Sequence, residues 1–204
     1  LPLGFTLYYG SQPLVPGQPL LARPNGDGLP LNFRHNHRLN IDESGFGANV
    51  DLGLGDSVSM MHFGTWVPSA TERYQYQVQT GTNSGCYYLM DPRRDVVHIF
   101  QYDPAKLAAF LVQTTDRNGN ALVYEYQTNL YVRGPDRVRD GLGRELQFTY
   151  QLLSDTNWYM TAIQDQAGRT STLAYEWNPP DNASRMTLRS IGRPDGTTNL
   201  FQYA

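Results

Sequence analysis

Along residues 31 to 42, LNFRHNHRLNID, two kinds of side chain alternate: Leu31, Phe33, His35, His37, Leu39 and Ile41 fall on one side, and Asn32, Arg34, Asn36, Arg38 and Asn40 on the other. A period of two sends successive side chains to opposite faces of an extended chain, so this stretch predicts a half-buried β-strand, the clearest single strand in the sequence. Alternation also runs through VSMMHFGTW at 58–66, RYQYQVQT at 73–80, and Cys86 to Met90. Between these runs lie GDG at 26–28, ESGFG at 43–47 and GTNSG at 81–85, all turn chemistry. The Pro- and Gly-rich opening from Gly10 to Pro30 reads as an irregular connection.

Further on, the alternating runs repeat. DRNGNALVYEY at 116–126 returns as DGLGRELQFTY at 140–150 and as DQAGRTSTLAY at 165–175, with starts 24 and 25 residues apart. A fourth copy, RPDGTTNLFQY at 193–203, keeps Gly196, Phe201 and Tyr203 but begins with Arg193, and a weaker one, PRRDVVHIFQY at 92–102, keeps the apolar tail. An Asp that can bond back to turn amides, followed three residues later by a Gly that accepts a left-handed conformation, fits a type I turn closed by a glycine bulge. Asp116 and Gly119, Asp140 and Gly143, Asp165 and Gly168, and Gly196 are therefore predicted turn residues. After each turn, one face of the strand carries apolar and aromatic side chains: Leu122, Tyr124 and Tyr126, then Leu146, Phe148 and Tyr150, then Leu173 and Tyr175, with Phe201 and Tyr203 in the fourth copy. A single hairpin is marginal in water. Units of roughly 25 residues, each long enough for two strands of ~3.3 Å per residue and two turns, can stack into an antiparallel sheet that curls as its strands twist. The expected fold is all-β, a tandem array of hairpins in one curled sheet.

One stretch points elsewhere. DPAKLAAFLV at 103–112 places Asp103 as a potential helix N-cap, Pro104 at the first helical position and an Ala-rich run behind it, the signature of a short helix near 103–110, while the register of the repeats makes the same stretch a turn and a strand with about three extra residues.

Composition agrees with a β-fold: 14 Tyr, 19 Gly and 13 Pro against only 17% charged residues. The formal charge of -3 lacks the basic footprint of nucleic-acid binding. All but one of the 16 cations are arginines, the exception being Lys106, and arginine stacks on rings and forks onto carboxylates. Cys86 is the only cysteine, so the chain forms no internal disulfide and no cysteine metal cluster. No apolar run reaches the ~18 residues of a membrane span. The chain opens on Leu rather than Met and reads as an excised or processed piece, so a missing signal peptide is silent about secretion.

The DRNGN turn with its strand ending Tyr-Glu-Tyr, followed by VRDGLGRELQFTY and IQDQAGRTSTLAY, resembles the YD-repeat of the Rhs family. That family includes bacterial Rhs and wall-associated toxins, the shell-forming subunits of insecticidal toxin complexes, and animal teneurins. The resemblance is direct from about Leu89 to the end, and LPLGFTLYYGSQ with the RHNHRL stretch resembles the lead-in of bacterial members. It implies a non-repeat β lead-in at 1–88 and a repeat array at 89–204, continuous with each other in a section of a hollow β-shell. It further implies a secreted or cell-surface setting, and as partners the rest of the parent polypeptide and its enclosed C-terminal toxin or effector. The Asp-Pro-x-Gly-Leu signature at which bacterial shells cut themselves is absent, because Asp91-Pro92 is followed by Arg93-Arg94 and Asp103-Pro104 by Ala105-Lys106. No self-cleavage is carried over.

Candidate chemistry is sparse. His35 and His37 on one strand face are a geometry from which a zinc or nickel site starts, but no spacing designates a third ligand among His62, His98 or a carboxylate. No Gly-x-Ser-x-Gly elbow, Walker loop or dinucleotide fingerprint occurs, and SGFG at 44–47 is more economically a turn. Cys86 has no histidine that the sequence places beside it. The repeat aspartates Asp116, Asp140 and Asp165 are the obvious carboxylates for glycoside cleavage, yet their fixed place in a turn reads as structural. The expectation is a non-catalytic shell section with no catalytic, cofactor or metal residues. The alternatives are an extracellular module whose exposed aromatics contact glycan or a protein surface, and, behind it, a glycan-cleaving enzyme. A section cut from a longer spiral would also expose strand edges that invite pairing with a second copy.

Overall fold

The computed structural model describes residues 1, 3–9, 33–35, 40–44, 47–51, 57–62, 66–68, 77–80, 85–103, 108–126, 134–154, 157–177 and 186–202. Side chains are described for 1, 3–7 and, apart from Ala108, Ser154 and Asn157, for the residues from 85 onward. Every described element of regular structure is a strand. From the N-terminus they are β1 (Leu7–Tyr9), β2 (Phe33–His35), β3 (Asn40–Ser44), β4 (Gly47–Asp51), β5 (Ser57–His62), β6 (Trp66–Pro68), β7 (Gln77–Thr80), β8 (Cys86–Asp91) and β9 (Val96–Asp103). The repeats supply β10 (Ala108–Asp116), β11 (Ala121–Glu125), β12 (Arg137–Asp140), β13 (Glu145–Ser154), β14 (Asn157–Asp165), β15 (Thr170–Trp177), β16 (Met186–Gly192) and β17 (Thr198–Leu200). The protein is all-β, as its alternation and turn residues predict.

β1 and β2 pair with each other, and the other fifteen strands form one antiparallel sheet whose path runs from β17 back to β10 and then through β3, β4, β5 and β6. The two ends of the path do not pair, so the sheet is not a closed barrel. β10 is the branch point. One of its edges pairs with β9 from Ala108 to Asp116, while the other is shared between β3, at Ala109 and Phe110, and β11, at Gln113 to Thr115. The register against β9 slips between Leu111 and Gln113, at the place where the partner on the opposite edge changes. A bulge bends a strand and increases its twist, which suits a strand that must serve two directions.

Three expectations are corrected. The short helix near 103–110 is absent from the described residues: Asp103 ends β9 and Ala108 begins β10, with 104–107 outside the described residues. Phe110 and Leu111 are buried there and pair along β9, and this burial outweighs a local capping signal. The clean alternation over 31–42 is two strands rather than one, since β2 belongs to the small sheet and β3 to the large one. Likewise 58–66 is divided between β5 and β6, which form a hairpin pairing His62 with Trp66.

The repeat sheet has two unlike faces. Leu89, Phe100, Leu111, Leu122, Tyr124, Val138, Phe148, Met160, Ile163, Leu173 and Leu188 form one buried cluster along the apolar face. Burying a side chain of this size contributes about 1.5 to 3 kcal/mol, so the face as a whole is the main source of stability. Leu1, Leu3, Phe5 and Leu7 pack against the same cluster, with the Phe5 and Phe148 rings 5.7 Å apart. On the opposite face Arg137 lies 3.9 Å from Glu125 and 3.6 Å from Glu145, and Arg139 pairs with Glu125 as Arg189 does with Glu176. Among the described residues no helix is long and apolar enough to cross a membrane.

Candidate functional site

The recurring chemistry of this chain sits at one end of the sheet, where the repeat turns join β10 to β11, β12 to β13, β14 to β15 and β16 to β17. All four close by the same pair of backbone bonds. Asp116, Asp140, Asp165 and Arg193 each donate their amide to the carbonyl four residues on, and Gly119, Gly143, Gly168 and Gly196 each donate back to the first residue. The glycines have φ of 81, 79, 79 and 83°, the left-handed value that a glycine bulge requires.

Side chains reinforce three of these turns identically. Asp140 Oδ1 accepts the amides of Leu142 at 3.0 Å and Arg144 at 2.9 Å, while Oδ2 takes the Arg144 guanidinium Nε at 2.7 Å. Asp165 repeats the set with Ala167, Arg169 and the Arg169 guanidinium. Asp116 bonds the amides of Asn118 and Asn120 and the Asn120 side-chain amide at 2.8 Å. The bond from the Asn120 side chain holds the Asp116 carboxyl below its usual pKa, and that from Arg169 does the same for Asp165. At Asp140 desolvation pulls upward, but the bonds from Arg144 and Leu142 outweigh it and the pKa is again lowered. These carboxylates are ionised acceptors engaged by their own turns, a poor state for passing a proton to a glycosidic oxygen.

The fourth turn reaches the same geometry by another route. With Arg193 at the corner, Asp195 takes over, its Oδ1 accepting the Thr197 amide at 2.9 Å and hydroxyl at 2.6 Å. The hairpin between β8 and β9 is a longer relative that begins at Asp91, one residue before the copy read from the sequence. Asp91 Oδ1 accepts the Arg93 amide at 2.9 Å, and Asp95, with φ of 54°, takes the left-handed place held elsewhere by glycine. Asp91 pairs directly with Val96, which leaves room for one more loop residue and hides the match.

The aromatic ladder has a second recurring contact. The Tyr126 hydroxyl donates to the Leu111 carbonyl at 2.8 Å, that of Tyr150 to Pro135 at 3.0 Å, and that of Tyr175 to Met160 at 2.5 Å, always fifteen residues back. Their rings pack on the core: Tyr126 lies 5.3 Å from the Phe110 ring and Tyr175 lies 5.0 Å from Tyr159. Burial pushes the Tyr126 phenol well above its ordinary pKa, with Tyr124 and Asp136 adding to the effect, and burial raises Tyr124 to about 12 despite a bond from Thr114. Phe148 is buried, and Phe201 is half-buried with its amide bonded to the Arg189 carbonyl at 2.8 Å. Tyr203 lies outside the described residues.

The remaining candidates separate. His98 is buried with Nδ1 2.9 Å from Thr114 Oγ1, and desolvation, helped by Arg94 and opposed by Asp91, lowers its pKa to about 4. It is a neutral ring at pH 7. His35 lies in β2 and His62 ends β5, in different sheets, and His37 lies outside the described residues. Among the described residues no group of three or more potential ligands could hold a metal ion. Cys86 Sγ bonds Gln101 Oε1 at 3.2 Å rather than a histidine. Compared with known proteins, the chain matches no family model and no curated sequence.

Proposed function

We propose that this chain is a non-catalytic section of the wall of an Rhs-type YD-repeat β-shell, which encloses and helps deliver a C-terminal toxin or effector of its parent protein in a secreted or cell-surface setting. The observation that carries the reading is the pair of recurring backbone-directed contacts, a turn closed by Asp and Gly and a tyrosine hydroxyl bound to the carbonyl fifteen residues earlier. A module of this kind extends a sheet by identical increments, which is what a wall needs and a single active site does not. The asymmetry of the sheet agrees, one face apolar and the other lined with Arg and Glu pairs.

Limited proteolysis of the intact parent protein tests the reading, with native and denaturing gels run side by side. A C-terminal segment that co-elutes with the shell and resists protease until the fold is opened is the expected result. A parent with no enclosed segment would overturn it. The second reading, a glycan-binding module, is favoured by Trp177, which is 48% exposed at the end of β15. Saturable binding on a glycan array, lost in Trp177→Ala, would support that reading instead.

A further inference from the structure

Beside the N-terminal segment, a groove of ≈ 700 Å3 crosses the apolar face over β13 to β16. Leu146, Ile163, Leu173 and Ile191, one from each of these neighbouring strands, line it, and Phe5 and Leu7 contribute from the N-terminal segment. The volume falls within the range of sites that hold organic ligands.

The charged groups that line the groove are not equivalent. Asp165 and Arg169 bond each other, and Asp195 is engaged by Thr197. Arg193 is different. It stands where three other turns carry Asp, it lines the groove, and it makes no ion pair among the described residues, although its charge helps to lower the Asp195 pKa. A guanidinium beside an apolar floor is matched by a carboxylate, which it can grip with two parallel hydrogen bonds.

The face already shows which chain geometry it accepts. Leu1, Leu3, Phe5 and Leu7, alternate residues of LPLGFTL, pack against the core cluster, and the last two also line the groove. The groove therefore continues a seat on which a peptide with alternating apolar side chains rests. We propose that it binds a second such segment, a peptide with alternating apolar side chains and one carboxylate that meets Arg193. Assigning that peptide to the enclosed effector rests on the shell reading; the binding itself does not.

The test titrates a fluorescein-labelled peptide, Leu-Thr-Phe-Thr-Leu-Thr-Asp with an amidated C-terminus, and its Asn counterpart, into the full 204-residue chain while anisotropy is read. Saturable binding of the Asp peptide is expected, with affinity weaker by roughly tenfold or more for the Asn peptide, as loss of a charged hydrogen bond implies. The same loss is expected with R193D. That variant restores the residue found in the other turns and leaves the backbone bonds from Arg193 to Thr197 and from Gly196 to Arg193 intact, so its folding is preserved. Ile191→Ser, in the groove floor, weakens both peptides alike. No saturable binding, equal affinity for the two peptides, or an unchanged affinity in R193D would overturn the proposal. So would a dodecanoate probe that binds where the peptide does not. Failure of the shell reading would appear in the proteolysis of the parent and leave this titration untouched.

Discussion

Replacing Tyr150 by Phe keeps a ring of nearly the same size and removes only the hydroxyl that donates to the Pro135 carbonyl at 3.0 Å. Pro135 is buried, so water does not freely replace the lost donor. A neutral hydrogen bond contributes about 0.5 to 1.5 kcal/mol net, and an acceptor left bare in a buried site adds part of its desolvation penalty. The expected cost is therefore about 1 to 2 kcal/mol. In a chain of this length each kcal/mol corresponds to a fall in Tm of roughly 2 to 4 °C. Urea unfolding followed by fluorescence should show a lower midpoint with an unchanged slope, since the surface exposed on unfolding is the same. Tyr88 provides the control. It is half-buried, and its hydroxyl makes no hydrogen bond among the described residues, so Tyr88→Phe should stay within about 0.5 kcal/mol of the parent. A Tyr150→Phe variant no less stable than the Tyr88→Phe control would refute the idea that the repeat tyrosine is held for its hydroxyl.

Three further outcomes follow from the same structure. Gly143→Ala meets no atom within 4 Å of the added Cβ, yet its φ of 79° is left-handed, so calorimetry should show a loss of about 1 to 2 kcal/mol from backbone strain alone. Leu188→Ala, at a position with no exposed surface, should cost about 2 to 5 kcal/mol in denaturant unfolding because it removes core contacts and leaves a cavity. For His98, a folded pKa of about 4 against 6.5 when unfolded makes the unfolded chain bind more protons between those values, so its contribution of roughly 3 kcal/mol is present above pH 6.5 and is lost as the pH falls to 4. Comparing unfolding curves of the parent and His98→Asn, which keeps a partner for Thr114 but does not titrate, should show a shallower pH dependence in the variant; parallel curves would contradict it. The lowered carboxyls of Asp116, Asp140, Asp165 and Asp195 act below this window, because stability from a depressed carboxyl is lost only as the pH falls below its unfolded value of 3.8 and through its folded one.

The turns were legible in the sequence because their requirements are local. A left-handed residue calls for Gly, and an acceptor that bonds amides two and four residues on calls for Asp, so Asp140 and Gly143 identify a turn without help from the rest of the fold. The same locality explains what was missed. Asp91 escaped notice because its loop is one residue longer and Asp95 takes the place of glycine. Alternation over 31–42 specifies extended chain, but nothing within twelve residues says that Phe33 pairs with Tyr9 while Asn40 pairs with Phe110. At 103–112 the capping signal of Asp103 and Pro104 was local chemistry, and the partners that overrode it lie in β9 and β3. Leu1, Leu3, Phe5 and Leu7 alternate in plain view, yet the strands they cover begin at Cys86 and beyond, far along the chain.

The partners of the tyrosines could not have been read from the sequence for a more general reason. Leu111, Pro135 and Met160 have no side-chain chemistry in common, and each is recognised only through its carbonyl. What the contact measures is distance along the chain, fifteen residues each time, and not residue identity. The turn has a similar independence, since its two backbone bonds survive in the copy that replaces Asp with Arg193. Both connections therefore tolerate change almost everywhere else in the unit. The segments joining repeats at the other end of the sheet show that latitude, running from Glu125 to Arg137 in one case and from Ser154 to Asn157 in the next, while Tyr150 and Tyr175 still reach back by the same interval. A sheet built on such contacts can diverge in sequence at its loops and charged face and keep its register. Because the partner is only a carbonyl, the contact itself survives a change of side chain at Leu111, Pro135 or Met160, whereas loss of the tyrosine hydroxyl ends it.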